Sequence, residues 1–289
     1  MIVGPLLKED MEAVASQQIG VMTLGLNALS TSLAPGLLFQ FALDPEEEAR
    51  QVAQRAHDEN RSRAILLTPN NEWGQRIQRA FTAELQALGD TLVDQRNYDP
   101  ATRDFVGIAR QLFTSRKPPQ AKALDEALGK RPLPEARDDF DYIFMAAQSG
   151  PAKQLRPALR FVLPDTSIPI YATSDSYEPE ATNSSDLEGL RFVDMPWVIN
   201  REGDTARLHD AMSQWWSSSL RSRSRLYAFG IDAFNLIGWL KAPQPQLAAP
   251  LRGATGWLAL DQAGRVRRHA DWAQVVNGKP QALPDLLTK

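Results

Sequence analysis

Residues Arg61–Trp73 read Arg-Ser-Arg-Ala-Ile-Leu-Leu-Thr-Pro-Asn-Asn-Glu-Trp. The apolar run Ala64–Leu67 has the length of a strand buried on both faces. Thr68-Pro69-Asn70-Asn71 breaks it with turn chemistry. A helical pattern follows, with Ile77, Phe81, Leu85 and Leu88 on one face and Gly89 to stop it. Strand, polar loop and helix make half of a crossover unit. In open α/β sheets such loops sit at the carboxyl ends of the strands, where ligands bind. The same order returns at Asp141–Leu163: strand Asp141–Ala147, loop Gln148–Pro151, then a helix carrying Leu155, Leu159 and Val162. Pro157 lies inside that helix, so either the helix starts near Gln154 or it bends.

Working outward, the alternation continues on both sides. Toward the amino end, Ile2-Val3, Val21–Leu26 and Leu37–Leu43 read as strands, with a helix over Lys8–Gln18 and a loop over 28–36. Asp44-Pro45-Glu46-Glu47 is a helix start: a cap, a proline at the first helical position, and acids at the positive end of the dipole. Toward the carboxyl end come a strand at Thr91–Gln95, a helix at Asp104–Phe113, and strands at Ile168–Thr173 and Leu190–Asp194. Two helices are expected next. Asp204–Trp216 groups Leu208, Ala211, Met212 and Trp215, and Ser224–Leu240 is apolar nearly all round, so it should be buried. Ser217–Arg225 between them is basic and lacks interleaved aromatics, which fits a solvated loop better than a nucleic-acid stripe. The tail predicts a hairpin, Thr255–Leu260 with Arg265–His269 about a Gly264 turn, then a strand at Asp271–Val276 and a turn at Asn277-Gly278. Residues 114–139, with four prolines and many charges, read as a long exposed connection. Strands alternating with helices argue for doubly wound α/β sheets.

Composition narrows the chemistry. A chain of 289 residues, 43% hydrophobic and 23% charged, can bury a full core in one large or two ordinary domains. The balance of 32 basic and 35 acidic residues gives no general attraction to nucleic acid or anionic membrane. No cysteine is present, which excludes disulfides, thiolate metal sites and a cysteine nucleophile within these residues. Of the three histidines, His57, His209 and His269, none has metal spacing, and each reads as solvated. No phosphate loop, dinucleotide fingerprint or nucleophile elbow follows a strand. Ser149-Gly150-Pro151 reads as a helix start whose amides face a cleft, and the acidic pairs as caps and solvated faces. The sequence therefore offers no catalytic group, metal or cofactor. Trp73 and Trp197 stand out among seven tryptophans because each directly follows a strand end.

Several short motifs stand in one order along the chain: Gly4–Lys8, Leu24–Asn27, Phe41–Ala49, Tyr171–Ser174, Leu187–Leu190, Tyr227–Ala233 and Thr255-Gly256. The ordered set resembles the C-terminal domain of the LpoA-type activators of penicillin-binding proteins, over nearly the whole chain. The resemblance implies an α/β fold of two Rossmann-like lobes, as in type I periplasmic binding proteins. It implies a first lobe of 1–44 with 198–260, lacking its opening strands, and a second of 45–197 with 261–289. Candidate cleft positions are then Lys8 and Asn27 from the first lobe and Asn71, Trp73, Ser149 and Asp175 from the second, with Trp197 at the hinge. The implied partner is a class A penicillin-binding protein, on the periplasmic side of the outer membrane. Membrane attachment would come only through a lipid anchor upstream of Met1. The alternative is a receptor closing on an amino-acid-like or muropeptide ligand, with Ser149 for its carboxylate and Asp175 for its amine.

Overall fold

The computed structural model describes residues 1–17, 19–29, 36–113, 137, 139–163, 167–179, 184–242 and 249–286, with the backbone alone at 219–222. Most of the long connection 114–139, the middle of the 28–36 loop and the end of the Lys8–Gln18 helix lie outside them. Two sheets organise the rest. The second is built around the opening stretch, where β4 (Arg63–Pro69) leads into α3 (Glu72–Leu88). Asn71 caps α3 by accepting from the Gly74 amide at 2.9 Å, and Gly89 closes it in the left-handed region at φ 78°. Gly74 is required there, because a Cβ would lie 2.0 Å from the Pro69 carbonyl oxygen.

Around β4 the order is β13-β12-β8-β7-β6-β4-β5. The parallel members are β5 (Thr91–Tyr98), β4, β6 (Tyr142–Met145), β7 (Ile170–Ala172) and β8 (Arg191–Asp194). The tail strands β12 (Asp271–Val276) and β13 (Lys279–Leu283) extend it antiparallel. Because side chains alternate along a strand, Ile65 and Leu67 join one apolar cluster while Ala64 and Leu66 join the other. The helices α2 (Pro45–Asp58) and α3 cover one face; α4 (Phe105–Phe113) and α5 (Ser149–Val162) cover the other. Both strand faces are thus dry, which is why these strands read as unbroken apolar runs. The helix α5 begins at Ser149 and continues through Pro157, an exposed position where water can take the carbonyl that proline frees.

In the first sheet the order is β1-β2-β3-β11-β10-β9. Here β1 (Ile2–Val3), β2 (Thr23–Gly25), β3 (Leu38–Phe41) and β11 (Arg265–His269) run parallel, β10 (Trp257–Leu260) is antiparallel to β11, and β9 (Leu251–Arg252) is antiparallel to β10. The helix α1 (Lys8–Ala15) places Met11 on one face of this sheet, against Leu29 and Leu38. The expected hairpin forms, with Gly264 at φ 75° in its turn. Its register carries Arg265 and Val266 against Gln40 and Phe41, so the tail divides. The strand β11 belongs with the first sheet and only β12 and β13 with the second, which corrects the assignment of 261–289 as one unit.

The expected pair of helices forms, joined by helical turns across a kink. After the single turn α6 (Pro196–Ile199), α7 runs Gly203–Leu240, broken by non-helical backbone at Trp216 and Arg223. The basic run 217–225 joins them, helical in its backbone except at Arg223 and not the expected open loop. Nor is the carboxyl half of α7 buried all round. Phe229, Ala233, Leu236 and Leu240 pack on the first sheet, with Phe41 stacked on Phe229 at 4.6 Å, while Phe234 is 74% exposed. In the amino half only Met212 of the expected group is buried; Leu208 and Trp215 are exposed.

Candidate functional site

The chain passes between the sheets at Ala42–Asp44, at Met195–Glu202 and at Ala270. A buried network of charges lies along this seam. On α7, Arg225 donates from Nε to Asp194 Oδ1 at 3.0 Å and from Nη2 to Asp194 Oδ2 at 2.6 Å. The same Nη2 also donates to the carbonyls of Ser174, at 2.7 Å, and Tyr177, at 2.9 Å. A helix of the first sheet is thus tied to strand ends of the second. On β11, Arg268 pairs with Glu48 of α2 at 2.6 Å, and Glu48 in turn accepts the Ser174 amide at 2.9 Å. Nearby, Asp232 of α7 accepts the Ala254 amide at 2.8 Å, and the Thr255 amide and hydroxyl at 2.7 and 2.6 Å.

Four carboxylates and two guanidiniums share this region, so their environment decides their charge. Burial works against the charge on Arg225, but Asp194 outweighs it and holds the guanidinium above the ordinary arginine value. Burial, then Glu48, pushes the Asp175 carboxyl up to about 6, against the pull of Arg225. Burial also raises Asp232, against the three hydrogen bonds that favour its ionised form.

Of the positions expected to face a cleft, this network brings in Asp175, through the 3₁₀ turn Ser174–Ser176, and approaches Trp197. The Trp197 ring is fully buried on α6; its Nε1 donates to Ser224 at 2.9 Å, and His209 meets it edge-on at 5.1 Å. His209 is therefore a buried histidine, not a solvated one, because the aromatic wall of the crossing covers it. Ser213 sits beside it, but its hydroxyl donates to the His209 carbonyl at 2.8 Å, an ordinary helix back-bond and not an activated nucleophile. The other positions have local duties. Asn27 ties two loops, donating to the Leu6 carbonyl and accepting from the Ala28 amide, both at 2.9 Å. Asn71 is the α3 cap already described, Trp73 packs on the apolar cluster beneath α3, Ser149 opens α5, and Lys8 is an exposed first residue of α1. Asn71 and Ser149 still share one place: β4 and β6 are neighbours whose loops lead to helices on opposite faces, the switch point of the second sheet.

Sequence reading missed Glu48, Asp194, Arg225 and Arg268. Glu48 resembles one more first-turn acid, and Arg225 closes a basic run; neither signals burial by itself.

Comparison with known proteins agrees with this architecture. The penicillin-binding protein activator LpoA of Photobacterium profundum is 27% identical over 284 residues, covering 94% of this chain and 45% of that protein. The chain thus spans about half the length of such relatives. The C-domain of Haemophilus influenzae LpoA, described as a regulator of PBP1A, superposes with a TM-score of 0.72 at 24% identity, over 98% of this chain and 81% of that one. An ABC transporter substrate-binding protein of Desulfitobacterium hafniense shares the fold, with a TM-score of 0.58 at 17% identity, over 97% and 79% of the two chains. The fold is that of the two-lobed periplasmic binding proteins. Residues 1–278 match the family model described as "LppC putative lipoprotein", and the chain belongs to that family.

Proposed function

We propose that this chain is a non-catalytic regulator that binds and activates a class A penicillin-binding protein, promoting peptidoglycan synthesis. The observation that carries the reading is the match to proteins named activators, which extends over 94% of the chain. The seam geometry is compatible with it: charges there are spent on one another and on backbone groups. Activation requires only that the chain bind the active conformation of the synthase more tightly than the inactive one. In this reading residues 1–44 and most of 198–269 form one lobe and 45–197 with 270–289 the other. An anchor outside these residues holds the protein at the periplasmic face of the outer membrane. The receptor alternative is not favoured, because the cation near Asp175 is the chain's own Arg225, not a ligand ammonium. The test is capture of a purified class A synthase by this chain, together with its glycan polymerisation rate. Capture with a faster rate supports the proposal; neither capture nor rate change rejects it.

A further inference from the structure

A cavity of about 570 Å³ opens on the edge of the second sheet remote from the loops that follow β4, β6 and β7. Its wall is made where β7 and β8 begin, by Pro169, Gly189 and Arg191, and by the last turns of α5, Arg156 and Arg160. The volume falls in the range of small-ligand sites.

The charge at its floor is unusual. Arg156 is 4% exposed, and among the described residues no carboxylate forms an ion pair with it. Among the described residues its guanidinium makes a single hydrogen bond, from Nη2 to the Glu188 carbonyl, and its Nε has no partner. A buried cation without a counter-ion costs several kcal/mol relative to a paired one, so it calls for a reason. Burial, and then Arg160, holds Arg156 down to about 10, against a weaker pull from the Glu188 carboxylate, which makes no ion pair with it. The neighbouring charges are already engaged. Arg191 donates to Glu59 at 2.7 Å, and the Glu188 carboxylate accepts the Asn277 and Gly278 amides, both at 3.1 Å. The backbone is also shaped around Arg156: Gly189 has φ 76°, and a Cβ there would lie 2.8 Å from Arg156 Nη2. A guanidinium fork matches a planar oxyanion, and Ser167 and Ser185 add hydroxyls to the wall. Asp186 and the exposed Glu188 at the rim disfavour a doubly charged phosphate more than a single carboxylate group.

We propose that this cavity binds a small carboxylate compound through Arg156, with Arg160 contributing from the next turn. It lies apart from the seam and does not rest on the function proposed above. The experiment is calorimetric titration of the chain at low ionic strength with acetate and, separately, with inorganic phosphate, each to roughly 10 mM, which detects even millimolar sites. Acetate is expected to bind one-to-one and more tightly than phosphate. Arg156→Met and Arg160→Gln are each expected to weaken it at least tenfold, and Asp175→Asn, at the seam, to leave it unchanged. Arg160 is half-buried at the end of α5, so its variant decides the matter should Arg156→Met fail to fold. No heat from acetate overturns the proposal. So do unchanged affinity in the arginine variants, tighter binding of phosphate, and loss of binding in Asp175→Asn.

Discussion

Replacing Arg225 with methionine tests whether the seam is held by charge. Methionine keeps much of the stem's packing and removes the guanidinium. Its partner Asp194 is fully buried, burial already raises its carboxyl, and without Arg225 it must either hold an unpaired charge or take up a proton, with Glu48 acting on the same spot. Breaking a buried pair by deleting one side costs about 3–5 kcal/mol. The Ser174 and Tyr177 carbonyls also lose their donor, at roughly 1 kcal/mol each where no water replaces it. The Arg225 side chain is 23% exposed, so water recovers part of that loss. The expected net loss is therefore about 3–5 kcal/mol, read as a lower urea midpoint; with a slope of a few kcal/mol per molar, the midpoint falls by roughly 1 M or more. The double variant Arg225→Met with Asp194→Leu removes the orphaned carboxyl as well. It should be more stable than Arg225→Met alone, giving a favourable coupling in the cycle. A loss below about 1 kcal/mol in the single variant, or strict additivity in the double, would refute the reasoning.

Three further outcomes follow from the same geometry. The Asp175 carboxyl titrates near 6 when folded against 3.8 in the free residue, so the native state holds the extra proton and stability from this group falls as pH rises between those values. Its contribution worsens by about 1 kcal/mol from pH 5 to pH 7; Asp175→Asn should be more stable than the parent at pH 7, with the gap narrowing by that amount at pH 5 in urea titrations. Gly74→Ala forces a methyl onto the Pro69 carbonyl at the start of α3, and a loss of about 2–4 kcal/mol in thermal or urea unfolding is expected; a neutral result would mean that strand and helix are not in such close contact. Trp215→Ser should change stability by less than about 0.5 kcal/mol, because the ring is 79% exposed, whereas a core tryptophan would lose several times more.

What could be read from the sequence was local. Asp44 and Pro45 announce α2, Gly89 ends α3, and Gly264 turns the hairpin, because each is set by the backbone geometry of a few neighbouring residues. The dry runs Ala64–Leu67 and Tyr142–Met145 likewise betray strands covered on both faces. The errors fall where a residue's setting is decided by distant chain. Glu48 and Arg268 are 220 residues apart, and Arg225 meets Ser174 across 51. A polar residue seen without its partner is most simply read as solvated, which is why sequence alone leaves Arg225, His209 and Glu48 in water. The opposite error befell Trp215 and Phe234: apolar periodicity marks a face as able to be covered, but only packing decides whether it is.

The network also bears on how such a fold could signal. Each passage between the sheets lies beside one of its members: Ala42–Asp44 leads into the helix of Glu48, Met195 follows Asp194, and Ala270 comes two residues after Arg268. Rotating one sheet away from the other would separate Arg225 from Asp194, or Arg268 from Glu48, and would also open the apolar cluster that joins Ala228 and Ala254 to Phe192 and Trp197. A partner that shifts a two-state protein from nearly all closed to nearly all open must supply about 5.5 kcal/mol of differential affinity. Here it would also have to replace the broken pairs, each costing several kcal/mol when one charge is stranded. Holding the seam shut requires no such input. If the chain acts on a synthase as proposed above, this geometry favours action through a fixed surface over action through opening and closing around a ligand.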